Sequence, residues 1–283
     1  MSRGAPRPDG QALGRDTTRS GIQEETEAMA NSDSTAATAV RVLLMVVPML
    51  AGTASAQSQA PAQSDDVKAG QFIYERSCVN CHGPRGQGDG VAAPQLDPQP
   101  RDFTRGLFKF RTTPSGTMPT LDDLERTVTH GITGTAMNQW SELSAADQRD
   151  VLLYIQTFSR SGWKAGTPIV VPPEPAFTIE SARRGVQAYA LLQCAKCHGE
   201  TGRGDGPSAA DLKDSWERPI RPADLTIGSR YKRGSTPLDI YLTFFTGLMG
   251  TPMPSYAGTL QTPQDEWDLV HYVYALSQGR PVQ

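Results

Sequence analysis

The chain has 283 residues and a formal net charge of −3 at pH 7, so it lacks the basic excess expected of a nucleic-acid-binding protein. Apolar residues make up only 37% of the chain, and its 27 glycines and 22 prolines indicate long loops between short helices. A chain of this length folds into about one to three domains.

The N-terminal part has the pattern of an export signal. Arg41 is followed by an apolar run at residues 42–50 and then by the small residues Ala-Ser-Ala at 54–56. A basic residue, a short apolar region and a small-residue cleavage site are typical of a secretory signal peptide. The run is nine residues long and contains Pro48, whereas a membrane-spanning helix needs about 20 apolar residues.

We therefore predict that residues 1–56 are an N-terminal extension plus a cleavable signal peptide, with Met29 a more ordinary start than Met1. Residues 57–65 are rich in Gln, Ala and Ser and are predicted to form a flexible linker. Cleavage would deliver a mature protein without a membrane span to the periplasm. An uncleaved membrane anchor is the alternative.

A helix that is predicted to begin near Asp66 leads into the first of two copies of the pattern C-x-x-C-H. Gly70 and Tyr74 lie four residues apart on one face of this helix, where a glycine allows a second helix to approach closely. The two copies consist of Cys78, Cys81 and His82, and of Cys194, Cys197 and His198. They contain all four cysteines of the chain.

The C-x-x-C-H pattern is the attachment signature of c-type haem. Its thiols form thioethers with the two vinyl groups of the porphyrin, and its histidine binds the iron from one face. We therefore predict two covalently bound haem c groups. A four-thiolate zinc site and a thioredoxin-like redox pair are the alternatives. The two cysteine pairs are 116 residues apart, zinc leaves the histidines unexplained, and no βαβ pattern surrounds either pair.

The segments after the two motifs correspond element by element. A glycine-rich loop follows each histidine, and then comes a cluster of basic and aromatic residues. We interpret these cations as partners of the haem propionates, with a solvated charged loop as the alternative. Two helices are then predicted in each half, at 121–130 and 144–158 and at 237–246 and 262–276.

A methionine occupies the loop between these two helices in each half. Met137 and Met253 each follow the first cysteine of their own half by 59 residues. Methionine is a usual second axial ligand of haem iron. We therefore predict that His82 and Met137 bind one iron and that His198 and Met253 bind the other.

Four other side chains are alternative axial ligands, namely Met118, Met249, His130 and His271. The two methionines fall outside the position that the repeat defines, and neither histidine recurs in the other half, so all four are disfavoured. Prolines flank Met253 but not Met137. This difference predicts that the two methionines are displaced from iron with unequal ease.

These correspondences amount to a tandem repeat, with domains predicted at 66–160 and 179–283 and a proline-rich, semi-rigid linker at 161–178. Each half resembles a class I cytochrome c domain. In that family a helix ending at C-x-x-C-H crosses a C-terminal helix, and a methionine loop lies between them. The resemblance implies a mainly α fold with two small helical domains, each wrapped around one haem.

The family's helix crossing can be transferred onto this chain. It places Gly70 and Tyr74 against the predicted helix that contains Tyr154. The second half would repeat the crossing with Gly185 and Tyr189 against the helix of Tyr272.

An iron with both axial positions filled has no open site for a substrate. We therefore predict an electron-transfer protein, not an enzyme, that exchanges electrons with other redox proteins of a respiratory chain in the periplasm. One alternative is a haem enzyme, either a dihaem peroxidase with a displaceable Met137 or a sulfur-compound oxidoreductase. Another is the cytochrome subunit of a larger oxidoreductase complex, associated with a membrane respiratory complex.

Overall fold

The computed structural model describes residues 64–282. The predicted signal peptide and most of the predicted N-terminal linker lie outside this range. Within it the chain forms α-helices, short 3₁₀ turns and loops, with isolated β-bridges but no strand, so the predicted mainly α class is confirmed. The α-helices are α1 (Ser64–Ser77), α2 (Val79–His82), α3 (Leu121–His130), α4 (Ala145–Gln156), α5 (Ile179–Leu191), α6 (Ala195–His198), α7 (Pro237–Thr246) and α8 (Pro263–Ser277).

Side-chain caps set where helices α3, α4 and α8 begin. Thr120 and Asp123 form a reciprocal capping box at the start of α3, and Thr262 and Asp265 repeat it at α8. Helices α3 and α7 have the predicted bounds. Helix α8 begins one residue later than predicted because Thr262 remains outside the helix as its cap. Helix α4 begins one residue late for the same reason, with Ser144 as its cap.

Each half is built on one helix crossing. Helix α1 packs against α4, and a methyl group added to Gly70 would collide with the carbonyl oxygen of Asp150. The ring centroids of Tyr74 and Tyr154 are 5.4 Å apart in an edge contact. Because only a glycine permits this close approach, the crossing predicted for the first half is confirmed.

The second half repeats the crossing with α5 and α8. Gly185 lies against the carbonyl group of Asp268, and the rings of Tyr189 and Tyr272 are 5.2 Å apart. Each crossing carries its own cluster of buried apolar side chains, which the third helix of that half completes.

The segment at 161–178 lies along both halves. The ring of Trp163 is 5.2 Å from that of Phe108 in the first half, and the amide of Ile169 donates to the carbonyl of Thr112. Phe177 contacts the ring of His271 on α8. This segment therefore packs against the protein and is not a free spacer. None of the helices between 64 and 282 has the length and apolarity needed to cross a bilayer.

Candidate haem-binding sites

The first C-x-x-C-H motif lies at the end of α1, where the chain continues into the short helix α2. The amide of Cys78 donates to the carbonyl of Tyr74, and the amide of His82 donates to that of Cys78. Residues three and four apart on a helix share a face, so this turn holds both thiols and the imidazole within one region. Gly83, with φ of 76°, then ends the turn.

A tyrosine on each leading helix holds the loop that follows the motif. The hydroxyl of Tyr74 donates to the carbonyl of Gly83 at 2.7 Å, and Tyr189 makes the same bond to Gly199 at 2.8 Å. The sequence pattern predicts both tyrosines at the helix crossing but does not predict these hydrogen bonds. The sequence signal for them was a tyrosine shortly before the first cysteine of each motif, four residues before Cys78 and five before Cys194.

Both motif histidines have the same ring orientation. The Nδ1 of His82 lies 3.1 Å from the carbonyl oxygen of Arg101, and that of His198 lies 2.9 Å from the carbonyl oxygen of Ala223. Because a carbonyl oxygen only accepts, Nδ1 carries the hydrogen in both rings and Nε2 keeps its lone pair. Metal-binding histidines commonly donate their other ring N–H to such an oxygen.

The surroundings keep both imidazoles neutral. Burial lowers the pKa of His82 to about 4, against the opposing effect of the hydrogen bond to Arg101, and burial also lowers the pKa of His198. The ring of His82 also stacks on Phe103 at 4.5 Å between centroids. The neutral imidazole with a fixed plane is the form that binds iron.

The predicted ligands of the first site line one cavity. Cys78, Cys81 and His82 lie on its wall together with Met137, and the rest of the lining is mostly apolar. The apolar part comprises Leu96, Phe103, Phe108, Leu124, Val128, Trp140, Val151, Leu152 and Ile155. Two thiols, an imidazole and a thioether around an apolar cavity are the groups that a covalently attached haem requires, so the residues fit this cofactor.

Two of the predicted site residues of the second half, Cys194 and Met253, pack against its own core. Cys194, Met253 and Tyr256 all pack against the same apolar cluster. Burial raises the pKa of the Tyr256 hydroxyl, and the neighbouring Cys194 and Cys197 thiols raise it further. The loop that carries Met253 is therefore close to the second motif.

The two methionine loops have the same hydrogen bonds. The carbonyl of Met137 accepts from the amide of Ile132, and that of Met253 accepts from the amide of Leu248. In each loop the hydroxyl of the threonine two residues earlier accepts from the methionine amide. The sequence repeat therefore corresponds to a repeated loop conformation.

The alternative ligands lie elsewhere. Met118 packs beside Gly106 and lines a separate cavity with Trp163. The sulfur of Met249 accepts a hydrogen bond from the amide of Gly116 in the first half. His130 is exposed at the end of α3.

His271 is fully buried in the second half, and its Nδ1 pairs with the hydroxyl of Ser181 at 2.7 Å. No disulfide joins any of the four cysteines. Among residues 64–282 no three His, Cys, Asp or Glu side chains converge as a metal site, so the zinc interpretation finds no support.

Three cations also line the first cavity. Arg101 and Lys109 come from the first half, and Lys232 comes from the second. Burial, and then the charges of Arg101 and Lys232, lower the pKa of Lys109 to about 7. A cluster of mutually repelling cations favours an anionic partner. The sequence pattern predicts such cations within each half, but it does not reveal that Lys232 of the second half lines the cavity of the first.

These features define a class of protein, a helical chain with two C-x-x-C-H sites and an apolar haem cavity. Two family models match it. Cytochrome c oxidase, cbb3-type, subunit III matches residues 65–155, and cytochrome c matches residues 182–277. The chain belongs to the cytochrome c family and carries two cytochrome c domains in tandem, as the sequence resemblance predicted. Such domains bind haem c covalently and transfer electrons.

One solved structure is similar over most of the chain. It is a chain of the reducing HAO-like protein complex of Kuenenia stuttgartiensis, with 40% sequence identity and a TM-score of 0.71. The alignment covers 74% of this chain and 96% of that chain. No curated protein matches this sequence.

Proposed function

We propose that the protein is a periplasmic dihaem cytochrome that passes electrons between redox partners of a respiratory chain through two His/Met-ligated haems. The observation that carries this proposal is the cavity that His82 and Met137 share with both thiols of the first motif. Haem c supplies an iron that cycles between the ferric and ferrous states. The periplasmic location rests on the export signal at residues 41–56.

The chain's own residues hold and tune each cofactor. The thiols of Cys78 and Cys81 anchor the first haem, and those of Cys194 and Cys197 anchor the second. The carbonyl of Arg101 orients the imidazole of His82 by accepting its Nδ1–H. A thioether is a weak ligand that raises the reduction potential of haem iron. With His82 and Met137 holding one iron and His198 and Met253 the other, neither iron would have an open position for a substrate, so the bound haems would only exchange electrons.

The test is an optical redox titration of the exported, haem-loaded protein in the near infrared, where a sulfur-to-iron charge-transfer band reports Met ligation. We expect two Met-ligated equivalents in the wild type. The variants Met137→Ala and Met253→Ala should each remove one equivalent and lower the potential of that haem. Retention of the full band in either variant would reject that methionine as a ligand, and Met118→Ala is the control.

A second proposal is that this cytochrome is a subunit of a larger oxidoreductase complex. It is supported by the similar chain from Kuenenia stuttgartiensis, whose structure is that of a protein complex. Size-exclusion chromatography of native periplasmic extract, followed by haem staining, distinguishes the two. A large haem-stained species supports the complex, and a monomer of about the chain's own mass supports a free carrier.

A further inference from the structure

The internal repeat is broken at two places by insertions of equal length. In each half the motif histidine contacts a backbone carbonyl further along the chain. That carbonyl follows the histidine by 19 residues in the first half (82 to 101) and by 25 in the second (198 to 223). The second half therefore has six extra residues in this stretch.

The first half has six extra residues further on. Equivalent turns end at Thr104 and Thr226, where each threonine bonds to the aspartate two residues earlier. The next helix caps, Thr120 and Thr236, follow after 16 and 10 residues. The two insertions cancel, which is why the spacing from cysteine to methionine is the same in both halves.

The insertion of the second half forms a turn that reaches the first half. Lys213 and Pro219 form a β-bridge across it, and Trp216 lies at its tip. The guanidinium of Arg101 lies 4.7 Å from the ring centroid of Trp216, and that of Arg105 lies 4.8 Å from it. The six-residue insertion therefore places an aromatic ring on the segment that orients His82.

This turn also contacts the loop that carries Met253. The amide of Ser215 donates to the carbonyl of Gly250 at 3.1 Å. Gly250 is buried, and a methyl group there would lie 2.7 Å from Nη1 of Arg101 and 2.9 Å from the ring of Trp216. Arg101, Trp216 and the Met253 loop are thus in direct contact.

The first half reaches the same loop from another side, through Arg111 and through its own insertion, which follows Arg111. Arg111 is fully buried and donates to the carbonyls of Thr246 and Gly247, at the end of α7. The amide of Gly116 donates to the sulfur of Met249 at 3.3 Å. The two insertions therefore meet on Met249 and Gly250, and Arg111 contacts the end of α7 just before them.

The methionine loop of the first half is not held in this way. Gly134 is the counterpart of Gly250, three residues before its methionine, and it has a similar φ of 70° against 80°. It is exposed, and a methyl group there would meet nothing within 4 Å. The two loops have the same internal hydrogen bonds but different supports.

We propose that Arg101, Arg111 and Trp216 form an interdomain clamp that positions the Met253 loop, so that the first domain holds the methionine of the second haem on its iron. Gly134, the counterpart in the Met137 loop, has no such contact with the other domain among residues 64–282. The proposal rests on the proposed His/Met ligation. The clamp predicts that an external ligand displaces Met137 from the first haem before it displaces Met253 from the second.

The matched variants Gly250→Ala and Gly134→Ala test the clamp in the haem-loaded full chain. Both place alanine at positive φ, so they share that backbone cost, but only Gly250→Ala pushes into Arg101 and Trp216. Imidazole is titrated while the near-infrared band is followed, and Met137→Ala and Met253→Ala assign the two transitions. In the wild type, imidazole should displace Met137 at a concentration at least about tenfold lower than Met253.

Gly250→Ala should lower the imidazole concentration that displaces Met253 toward the concentration that displaces Met137. Gly134→Ala should leave the concentration for Met253 unchanged. Trp216→Ala should act like Gly250→Ala, and Trp216→Phe, which keeps a ring under Arg101, should restore most of the wild-type value. An unchanged Met253 transition in both Gly250→Ala and Trp216→Ala would overturn the clamp. A wild type with no charge-transfer band would overturn the His/Met ligation, and with it the clamp.

Discussion

Gly70 lies directly against the carbonyl oxygen of Asp150, at the point where α1 crosses α4. The same relationship joins Gly185 to Asp268 in the second half. The helix that ends at each C-x-x-C-H motif is therefore positioned by main-chain contact with the C-terminal helix of its domain. The position of the thiols follows from this contact, since one residue separates α2 from α1 and a three-residue turn separates α6 from α5.

The first prediction concerns this crossing. Gly70→Ala should destabilise the first domain by about 1–3 kcal/mol, because the added methyl group forces the helices apart. Alanine is the better helix former by about 1 kcal/mol, so a loss of stability isolates the collision. Denaturant unfolding of the haem-loaded protein measures it, and Ala69→Ser on the exposed face of α1 is the control. Equal or greater stability of Gly70→Ala would contradict the crossing.

The second prediction concerns acid stability. Asp268 is almost fully buried, and burial by itself would raise its pKa, but hydrogen bonds from Arg184, Ser181 and Gln264 outweigh this and hold the pKa below its ordinary value. A carboxylate with a lowered folded-state pKa contributes its full stability above its unfolded pKa of about 3.9 and loses it as the pH falls from there through the lower folded-state pKa. Asp268→Asn should therefore lower the free energy of unfolding by about 2 kcal/mol at pH 7. The stability of this variant should also fall less steeply than that of the wild type as the pH is lowered.

Asp150→Asn is the matched control for this experiment, because Asp150 contacts the crossing glycine of the first half in the same way. Burial, with the charges of Asp66 and Asp147, raises the pKa of Asp150. A raised carboxylate pKa makes the charged form unfavourable in the folded state, so Asp150→Asn should keep or slightly increase stability at pH 7. Equal losses in the two variants would mean that the hydrogen bonds to Asp268 contribute nothing specific.

The third prediction concerns the reduction potential of the first haem. Lys232→Gln should lower it by on the order of tens of millivolts, because removal of a nearby positive charge favours the ferric iron. The potential of the second haem should change less, although Lys232 belongs to the second domain. Spectroelectrochemical titration measures both, and Lys68→Gln, which removes an exposed charge from α1, is the control. A shift confined to the second haem would contradict the placement of Lys232.

The fourth prediction concerns the number of haems. The double variants Cys78→Ala with Cys81→Ala, and Cys194→Ala with Cys197→Ala, should each halve the covalently bound haem of the exported protein. The pyridine haemochrome absorbance per chain measures this. The affected domain should also lose most of its cooperative unfolding transition, since the cofactor completes its core. One haem per chain in the wild type, unchanged in one of the double variants, would reject a two-haem protein.

The local features of this fold could be predicted from the sequence. The bounds of α3 and α7 and the caps Thr120 and Thr262 depend on residues a few positions apart, and such interactions are encoded locally. The helix crossing at Gly70 could be predicted because the glycine and tyrosine recur before both motifs and because each half resembles a known family. The shared cavity of His82 and Met137 was anticipated from the conserved spacing within the repeat, although their bonds to iron remain a prediction.

Only the tertiary structure decided how the two halves meet. Lys232 lines the cavity of the first domain, Arg111 is buried against the end of α7, and Trp216 lies on Arg101. Each contact joins residues more than 100 positions apart, and its geometry depends on the packing of one domain on the other. Sequence spacing within a repeat describes each domain by itself. The prolines beside Met253 are a local difference between the two sites, but the unequal support of the two methionine loops arises between the domains, where that spacing carries no information.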